Sequence, residues 1–156
     1  TLDELTLISN RRGFFTLAEH AQKICHRKKI SISLILFDLN KFKPINDNFG
    51  HHEGDFALKQ FAEAMRRAFR DSDVIGRLGG DEFVAMLTGS DDEQIANVLE
   101  RFKLEMDNIN QSINKPYIIE YSAGVAIFSH DTQKSLEEMV AQADAAMYIE
   151  KKNRMR

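Results

Sequence analysis

One spacing of apolar residues occurs four times along this chain and constrains its fold more than any other feature. In each segment the apolar residues step by 3, 1, 3 and 4 positions, which places them on one face of an α-helix. The four sets are Phe14, Leu17, Ala18, Ala21, Cys25; Leu58, Phe61, Ala62, Met65, Phe69; Ile95, Val98, Leu99, Phe102, Met106; and Leu136, Met139, Val140, Ala143, Met147. The spacing predicts four amphipathic helices, with the methionines filling gaps in a core rather than binding a metal.

Strand-like segments lie between these helices. Four runs are rich in apolar and β-branched residues: residues 30–37, 74–78, 83–87 and 117–128. The first is apolar on both faces, as a central strand is, and the two middle runs flank Gly79 and Gly80, which is a hairpin signal. The order helix, strand, helix, strand, strand, helix, strand, helix predicts an α/β (α+β) domain in which helices cover a sheet that is at least partly antiparallel.

Composition narrows the class of protein. With 156 residues, 43% of them hydrophobic and 29% charged, we expect a single domain over residues 1–156 with a real core. No run of about 18 apolar residues is present to span a membrane, and the net charge of −3 argues against a nucleic-acid surface. The single Cys25 excludes an internal disulfide and is typical of a reducing, intracellular compartment. Since the chain begins at Thr1, we expect a fragment of a longer protein.

Polar residues without an evident structural role follow the first strand and occupy the hairpin. Asp38 ends the first apolar run, a position from which a carboxylate can hold a divalent cation. The two glycines of the hairpin allow positive φ and close approach of a ligand, and Asp81 and Glu82 would point to opposite faces of a strand. The alternatives are that Asp38 caps the following turn and that the hairpin acids form a solvated tip.

Five blocks of residues occur in order along the chain. They are DELT (residues 3–6) with NRR (10–12), FKPIND (42–47), FGHHEGD (49–55), GGDEF (79–83), and ADAAMY (143–148) with Lys151. Together these blocks resemble the GGDEF family of diguanylate cyclases. The resemblance implies a central, mainly antiparallel sheet surrounded by helices, like the palm of nucleotide cyclases. It also implies an enzyme that condenses two GTP into cyclic di-GMP and two pyrophosphates.

The resemblance implies a metal-assisted catalytic site on the hairpin. Asp38, the Leu39 carbonyl and Asp81 would hold two Mg²⁺ (or Mn²⁺) ions, which prefer hard oxygen ligands. Asp81 would also take the proton from the attacking 3′-hydroxyl, whose pKa the metal would lower. Glu82 is a second candidate for contact with metal or substrate, so Asp81 and Glu82 are the implied catalytic residues.

The resemblance assigns selection of guanine to the FKPIND and FGHHEGD blocks. Asn46 would donate to guanine O6 or N7, and Asp55 would accept from N1–H and the 2-amino group, a pattern that adenine cannot satisfy. Phe42 and His51 would also bind the substrate, with His51 lining its pocket. Without the resemblance, the more ordinary interpretations are that Asn46 starts a helix and that Asp55 is an exposed helical acid.

Phosphate contacts are implied for Lys43 and Lys151, which would otherwise be solvated surface lysines. Arg154 is a weaker candidate. Arg154 and Met155 stand where the family usually has Gly-Arg, so the phosphate contact made by that arginine would pass to Arg154 or Arg156.

An RxxD block lies nine residues before Gly79, the offset at which many members of the family carry a product-inhibition site. By resemblance, Arg70 and Asp73 would bind cyclic di-GMP, because an arginine fork pairs with guanine edges and phosphates. Arg101 would add a further contact. The alternative is an arginine that stabilises a helix C-terminus, followed by an aspartate that starts a turn.

The resemblance also implies partners and a setting. Catalysis would require a homodimer in which each subunit holds one GTP, under the control of an upstream sensory or regulatory domain in a bacterial signalling protein. The domain itself would contact neither nucleic acid nor membrane and would lie in the cytoplasm, even if the full-length protein is membrane-anchored. Leu7 in place of the usual Gly, and Asn40 in place of a frequent second Asp, depart from the family. The alternative function is an inactive GGDEF domain that acts as a receptor for GTP or cyclic di-GMP.

Overall fold

The computed structural model describes the backbone of residues 1–154 and the side chains of residues 1–153. In chain order, its helices and strands are α1 (Arg11–Lys28), β1 (Ile32–Asn40), α2 (Phe42–Phe49), α3 (His51–Ala68), β2 (Val74–Gly79), β3 (Glu82–Thr88), α4 (Asp92–Ser112), β4 (Glu120–Phe128) and α5 (Leu136–Arg154). Asn10 caps α1 by accepting a hydrogen bond from the Gly13 N–H at 2.8 Å. Asp91 and Gln94 form a capping box on α4, so both helices begin where a side chain satisfies free amides.

The four strands form one sheet in the order β2-β3-β1-β4, and each neighbouring pair is antiparallel. This confirms the predicted antiparallel sheet and the hairpin at Gly79 and Gly80. β1 is an interior strand with β3 on one side and β4 on the other, and residues 32–37 are all buried. An interior position covered on both faces is what the continuous apolar run of β1 predicts.

Helices cover both faces of the sheet. Phe37 and Leu39 pack with α3 and α4, whereas Leu34 and Leu36 pack with α1 and α5, because successive side chains of a strand point to opposite faces. The same alternation directs Asp38 to the face of α1 and α5. Tight packing on both sides of β1 therefore holds the first predicted acidic residue in a defined position.

The bounds of β1 and β4 differ from the sequence prediction by two or three residues. β1 begins two residues later and continues to Asn40, because its ladder with β4 extends to the pair Asn40 and Glu120. Asp38 therefore lies inside a strand rather than at its end. β4 begins three residues later than predicted, because the Ile119 N–H donates to the Asn110 side chain at 2.9 Å instead of entering the sheet.

α2 is a helix that the sequence pattern did not predict. Its apolar residues Phe42, Ile45 and Phe49 keep helical spacing, but eight residues are too few for the longer apolar pattern that identified the other helices, and only Ile45 is buried. Its ends are marked by the backbone: Lys41 has a φ of 57° and Gly50 a φ of 94°.

A second difference concerns Leu17, which was predicted on the apolar face of α1 but is 52% exposed.

Leu7 has a left-handed backbone conformation, and burial of its side chain does not offset the strain of that conformation. Its φ is 65° and its side chain is 64% exposed. We expect Leu7→Gly to raise the free energy of unfolding by about 0.5–1 kcal/mol, because relief of the left-handed strain exceeds the entropic cost of glycine. Chemical denaturation measures the change. As a control, Leu104→Gly within α4 should lower the same free energy by about 1 kcal/mol, and equal losses at both positions would contradict the strain at Leu7.

Candidate active site

β1 and the β2–β3 hairpin bring the predicted acidic residues together. The register pairs Asp38 with Glu82, and the Leu39 N–H donates to the Asp81 carbonyl oxygen at 3.2 Å. The prediction that Asp81 and Glu82 occupy opposite faces of one strand is wrong. The positive φ angles of the two glycines turn the chain, so the strand resumes only at Glu82 and Asp81 lies in the turn.

Carboxylates at this site repel one another. Burial first, then the charge of Asp38 and direct contact with its carboxyl group, raise the pKa of Asp81. Burial, followed by the charges of Asp144, Asp38 and Asp81, raises the pKa of Glu82. Each shift shows that the charged form is disfavoured where it stands. The site therefore favours a bound positive charge.

The two oxygens of Asp38 have different surroundings. Oδ2 accepts a hydrogen bond from Lys151 Nζ on α5 at 3.3 Å. Oδ1 is buried and has no hydrogen-bond partner among the described residues. A buried carboxylate oxygen without a donor is unfavourable, and a cation is one group that would satisfy it.

The oxygen atoms at this site fit a magnesium ion better than a softer metal. Asp38, Asp81 and the Leu39 carbonyl would supply hard oxygen ligands, and Mg²⁺ usually completes its shell with water and substrate phosphates. In the part of the chain that the structure describes, no three His, Cys, Asp or Glu side chains are arranged to hold a metal by themselves. The protein alone would therefore supply only part of a coordination shell.

The proposed guanine-reading residues lie at the corner between α2 and α3. Gly50 is both the C-cap residue of α2 and the N-cap residue of α3. Asn46 is half-buried, and a Cβ on Gly54 would lie 1.8 Å from its Oδ1, so a larger residue at this position would displace the amide. Asp55 follows Gly54 and is exposed. The structure thus brings Asn46 and Asp55 to one corner, although they belong to different helices.

The remaining predicted substrate contacts have varied surroundings. Lys43 is exposed and pairs with Asp47 on its own helix, Nζ to Oδ2 2.7 Å, rather than with the acidic site. Phe42 is half-buried against the core of α3 and α4, and His51 is exposed at the start of α3. The alternative phosphate contact at residues 155–156 lies outside the described residues, as does the side chain of Arg154.

Besides Lys151, α5 contributes two residues to the site that sequence reasoning did not single out, Asp144 and Tyr148. Asp144, Tyr148 and Lys151 lie on one face of the helix, at spacings of four and three, and line a pocket of about 690 Å³ with Asp38 and Glu82. Asp144 and Tyr148 were noted only as letters of the ADAAMY block. Their helical spacing relative to Lys151 is the signal that predicts a shared face.

Arg77 is a further residue of the site whose role the sequence did not reveal. Its guanidinium donates two hydrogen bonds to the Gly80 carbonyl oxygen, at 3.0 and 2.8 Å, and contacts the Asp3 carboxylate at 3.1 Å. The Arg77 and Asp3 side chains are 16% and 20% exposed, so water screens this pair less than a surface ion pair. Arg77 thereby ties the tip of the hairpin to the DELT block.

The RxxD residues form a separate pocket beside α4. Asp73 Oδ2 accepts a hydrogen bond from the Arg70 backbone N–H at 2.9 Å, and the Arg70 guanidinium lies 3.5 Å from Asp73 Oδ1. Arg101 donates two hydrogen bonds to the Ala68 carbonyl oxygen at the end of α3. All three predicted residues line a cavity of about 160 Å³. Asp73 therefore forms a turn, as its alternative interpretation holds, while the Arg70 side chain stays 57% exposed.

The sheet is antiparallel throughout and is covered by helices on both faces, and its two-glycine hairpin places acidic residues beside an aspartate of the neighbouring strand. The family model described as "Diguanylate cyclase, GGDEF domain" matches residues 1–156. The chain belongs to the GGDEF family, which confirms both the predicted family and the predicted fold.

Relatives of known name are diguanylate cyclases that are much longer than this chain. Diguanylate cyclase DosC of Escherichia coli (strain K12) is 31% identical over 153 residues, which is 97% of this chain and 33% of DosC. Diguanylate cyclase A of Treponema denticola is 32% identical over 157 residues, 98% of this chain and 42% of that protein. The chain thus spans less than half the length of either relative.

Solved structures of GGDEF proteins have the same fold. The GGDEF domain of DgcB from Caulobacter crescentus in complex with c-di-GMP has a TM-score of 0.88 at 27% identity, covering 98% of this chain and 91% of that one. Diguanylate cyclase SiaD from Pseudomonas aeruginosa, in complex with its activator SiaC, has a TM-score of 0.85 at 29% identity, covering 97% of this chain and 58% of that one.

Within residues 1–154, no helix has both the length and the apolar character needed to cross a bilayer.

Proposed function

We propose that this domain condenses two GTP into cyclic di-GMP and two pyrophosphates. The observation that carries the proposal is the buried Oδ1 of Asp38, which has no hydrogen-bond partner among the described residues and belongs to a carboxyl group that contacts that of Asp81. Asp38, Asp81 and the Leu39 carbonyl would hold two Mg²⁺ (or Mn²⁺) ions. Bound there, the metal would neutralise phosphate charge and lower the pKa of the attacking hydroxyl.

The residues of the site would have different roles in two successive phosphoryl transfers. In each, the 3′-oxygen of one GTP forms a bond to the α-phosphorus of the other, and the bond from that phosphorus to the bridging oxygen of pyrophosphate breaks. Asp81 accepts the hydroxyl proton, and Glu82 contacts the metal or the substrate beside it. Lys151 leaves part of its interaction with Asp38 to contact the phosphates, and Lys43 turns from Asp47 toward them.

Recognition of guanine would take place at the α2–α3 corner. The Asn46 amide donates to O6 or N7, and the Asp55 carboxylate accepts from N1–H and the 2-amino group. Phe42 and His51 border this pocket. Adenine presents a donor where Asn46 donates and lacks the 2-amino group, so its binding leaves polar groups unpaired.

Assembly and setting form part of the same proposal. Two subunits face each other as a homodimer, each holding one GTP, because the reaction joins two nucleotides symmetrically. Residues 1–156 form one catalytic module of a longer signalling protein in the bacterial cytoplasm, and an upstream sensory or regulatory segment brings two modules together. SiaD, whose activator SiaC is bound in its structure, is a related case of a regulatory partner.

The test is product formation from GTP. The protein at high concentration is incubated with GTP and Mg²⁺, and nucleotides are separated and identified by mass. We expect cyclic di-GMP with two pyrophosphates for each molecule formed, and none when Mg²⁺ is chelated. Absence of product at all protein concentrations, with retained binding of GTP or cyclic di-GMP, would overturn the enzyme in favour of an inactive receptor domain.

Product inhibition is proposed at the pocket of Arg70, Asp73 and Arg101. Arg70→Ala should weaken binding of cyclic di-GMP by about tenfold or more, because a charge-assisted arginine contact is lost. Calorimetry with cyclic di-GMP and initial rates at increasing product measure the effect. Arg67→Ala is the control, since Arg67 is a nearby exposed arginine paired with Glu63. Unchanged product affinity and inhibition in Arg70→Ala would show that the site is misassigned.

A further inference from the structure

We propose that Tyr117 is a positioning residue for guanine recognition, a role that rests on the proposed function. Tyr117 lies in the segment between α4 and β4, which carries none of the blocks that define the family. It contacts both helices that hold the guanine-reading residues. Its ring packs against Phe49, the last residue of α2, with ring centroids 5.4 Å apart. Its hydroxyl donates to Glu53 Oε1, in the first turn of α3, at 2.7 Å.

These two contacts span the corner at Gly50. Gly50 joins the two helices with a φ of 94°, a conformation that glycine adopts readily, and side-chain contacts across the corner help to set the angle between α2 and α3. Asn46 lies before this corner and Asp55 lies after it. A small change in the angle would therefore move the two guanine contacts relative to each other. A side chain that touches both helices fixes their separation.

A second bond strengthens the contact on α3. Lys115 Nζ lies 3.1 Å from the Glu53 carboxylate and 4.8 Å from the centre of the Phe56 ring. The hydrogen bond from Tyr117 and then that from Lys115 lower the pKa of Glu53, which keeps this carboxylate ionised and able to accept both. Glu53, Lys115 and Tyr117 together form the unit called here the corner clamp.

The base of the corner clamp is anchored to the core. Two residues after Tyr117, Ile119 is buried, and its N–H donates to Asn110 Oδ1 at 2.9 Å. Asn110 Nδ2 in turn donates to the Ile119 carbonyl oxygen at 3.0 Å. This reciprocal pair fixes the segment to α4. Tyr117 therefore holds the corner at a defined position relative to α4, which a residue on an unanchored loop would not do.

The test compares nucleotide affinities of the intact protein and of Tyr117→Phe. The probes are 3′-deoxy-GTP and 3′-deoxy-ATP with Mg²⁺, which lack the attacking hydroxyl and so report binding without turnover. Tyr117→Phe keeps the ring contact with Phe49 and removes only the hydroxyl. We expect a loss of affinity for 3′-deoxy-GTP of about three- to tenfold, which is less than the full worth of a hydrogen bond to a charged group because Tyr117 does not itself contact the nucleotide. Affinity for 3′-deoxy-ATP should stay unchanged, so selectivity for guanine falls.

Two further variants separate positioning from general stability. Glu53→Gln retains an oxygen that accepts from Tyr117 and should keep most of the selectivity, whereas Glu53→Ala should lose it as Tyr117→Phe does. Lys103→Met, which removes an exposed ion pair with Asp107 on α4, is the control and should leave selectivity unchanged. Circular dichroism establishes that each variant is folded at the temperature of measurement.

The outcomes distinguish this proposal from the function on which it rests. If the unaltered protein binds neither nucleotide, the proposed function fails. If it binds 3′-deoxy-GTP selectively and both Tyr117→Phe and Glu53→Ala keep that selectivity, the corner clamp is overturned while the function stands. Equal loss of affinity for both nucleotides would also overturn it, since that result indicates a general structural role.

Discussion

Asp81→Asn is expected to lower the rate of cyclic di-GMP formation by about 10²–10⁴-fold while the domain stays folded. The amide cannot accept the proton of the 3′-hydroxyl, and loss of a general base typically costs this factor. It also removes a negative charge that would help to hold Mg²⁺ beside Asp38. Initial rates with GTP and Mg²⁺ at matched protein concentration measure the effect.

Stability gives an independent readout for the same variant. Because burial and the charge of Asp38 disfavour ionised Asp81, its neutral replacement should not lower the thermal midpoint in the absence of Mg²⁺. Asp107→Asn is the control, since Asp107 is an exposed acid on α4 paired with Lys103, and this variant should keep full activity. An Asp81→Asn protein that retains more than a tenth of the activity would contradict the catalytic role of Asp81.

Gly124→Ala is expected to lower the free energy of unfolding more than the same change at Gly76. A Cβ on Gly124 in β4 would lie 2.1 Å from the Met147 backbone nitrogen and 2.5 Å from the Ala143 carbonyl oxygen. These are backbone atoms of α5, so the clash is relieved only if the whole helix shifts. Overpacking of a core costs about 1–3 kcal/mol, and we expect a value at the upper end of this range.

The same substitution should lower activity in the protein that remains folded. Lys151 lies one turn beyond Met147, so a displaced α5 moves its ammonium group from Asp38. Chemical denaturation and initial rates measure the two effects. Gly76→Ala is a graded control, because its Cβ would meet the Phe14 side chain at 2.9 Å, a milder contact. A loss of stability at Gly124 no greater than that at Gly76 would show that α5 does not pack on β4 as described.

The apolar pattern predicted the main helices well because the core is built from them. Phe14, Phe61 and Phe102, one from each of three predicted stripes, are fully buried. The pattern failed for α2, which has a single buried residue, and at Leu17, whose side chain remains exposed. Helical periodicity is detected over a window of about 11–18 residues, so an eight-residue helix gives too short a signal.

The candidate site was predictable as a set of residues but not as an arrangement. The blocks that contain Asn46, Asp55 and Asp81 identified the family from their letters and order. The residues that hold these groups in place, such as Arg77 and Tyr117, carry no comparable pattern. Their contacts join segments that are remote along the chain, and no local rule of spacing reports such a contact.

The amino-acid sequence by itself determined the local structural preferences. These are which segments form the four amphipathic helices, which segments form strands, and where two glycines allow the hairpin to turn. Those preferences depend on neighbours a few residues apart. Only the tertiary structure decided that Asp38 lies within β1 opposite Glu82, that Lys151 reaches it from α5, and that Asn46 meets Gly54 across a corner. Strand register and helix packing set those distances, because they depend on how the whole core closes around both faces of the sheet.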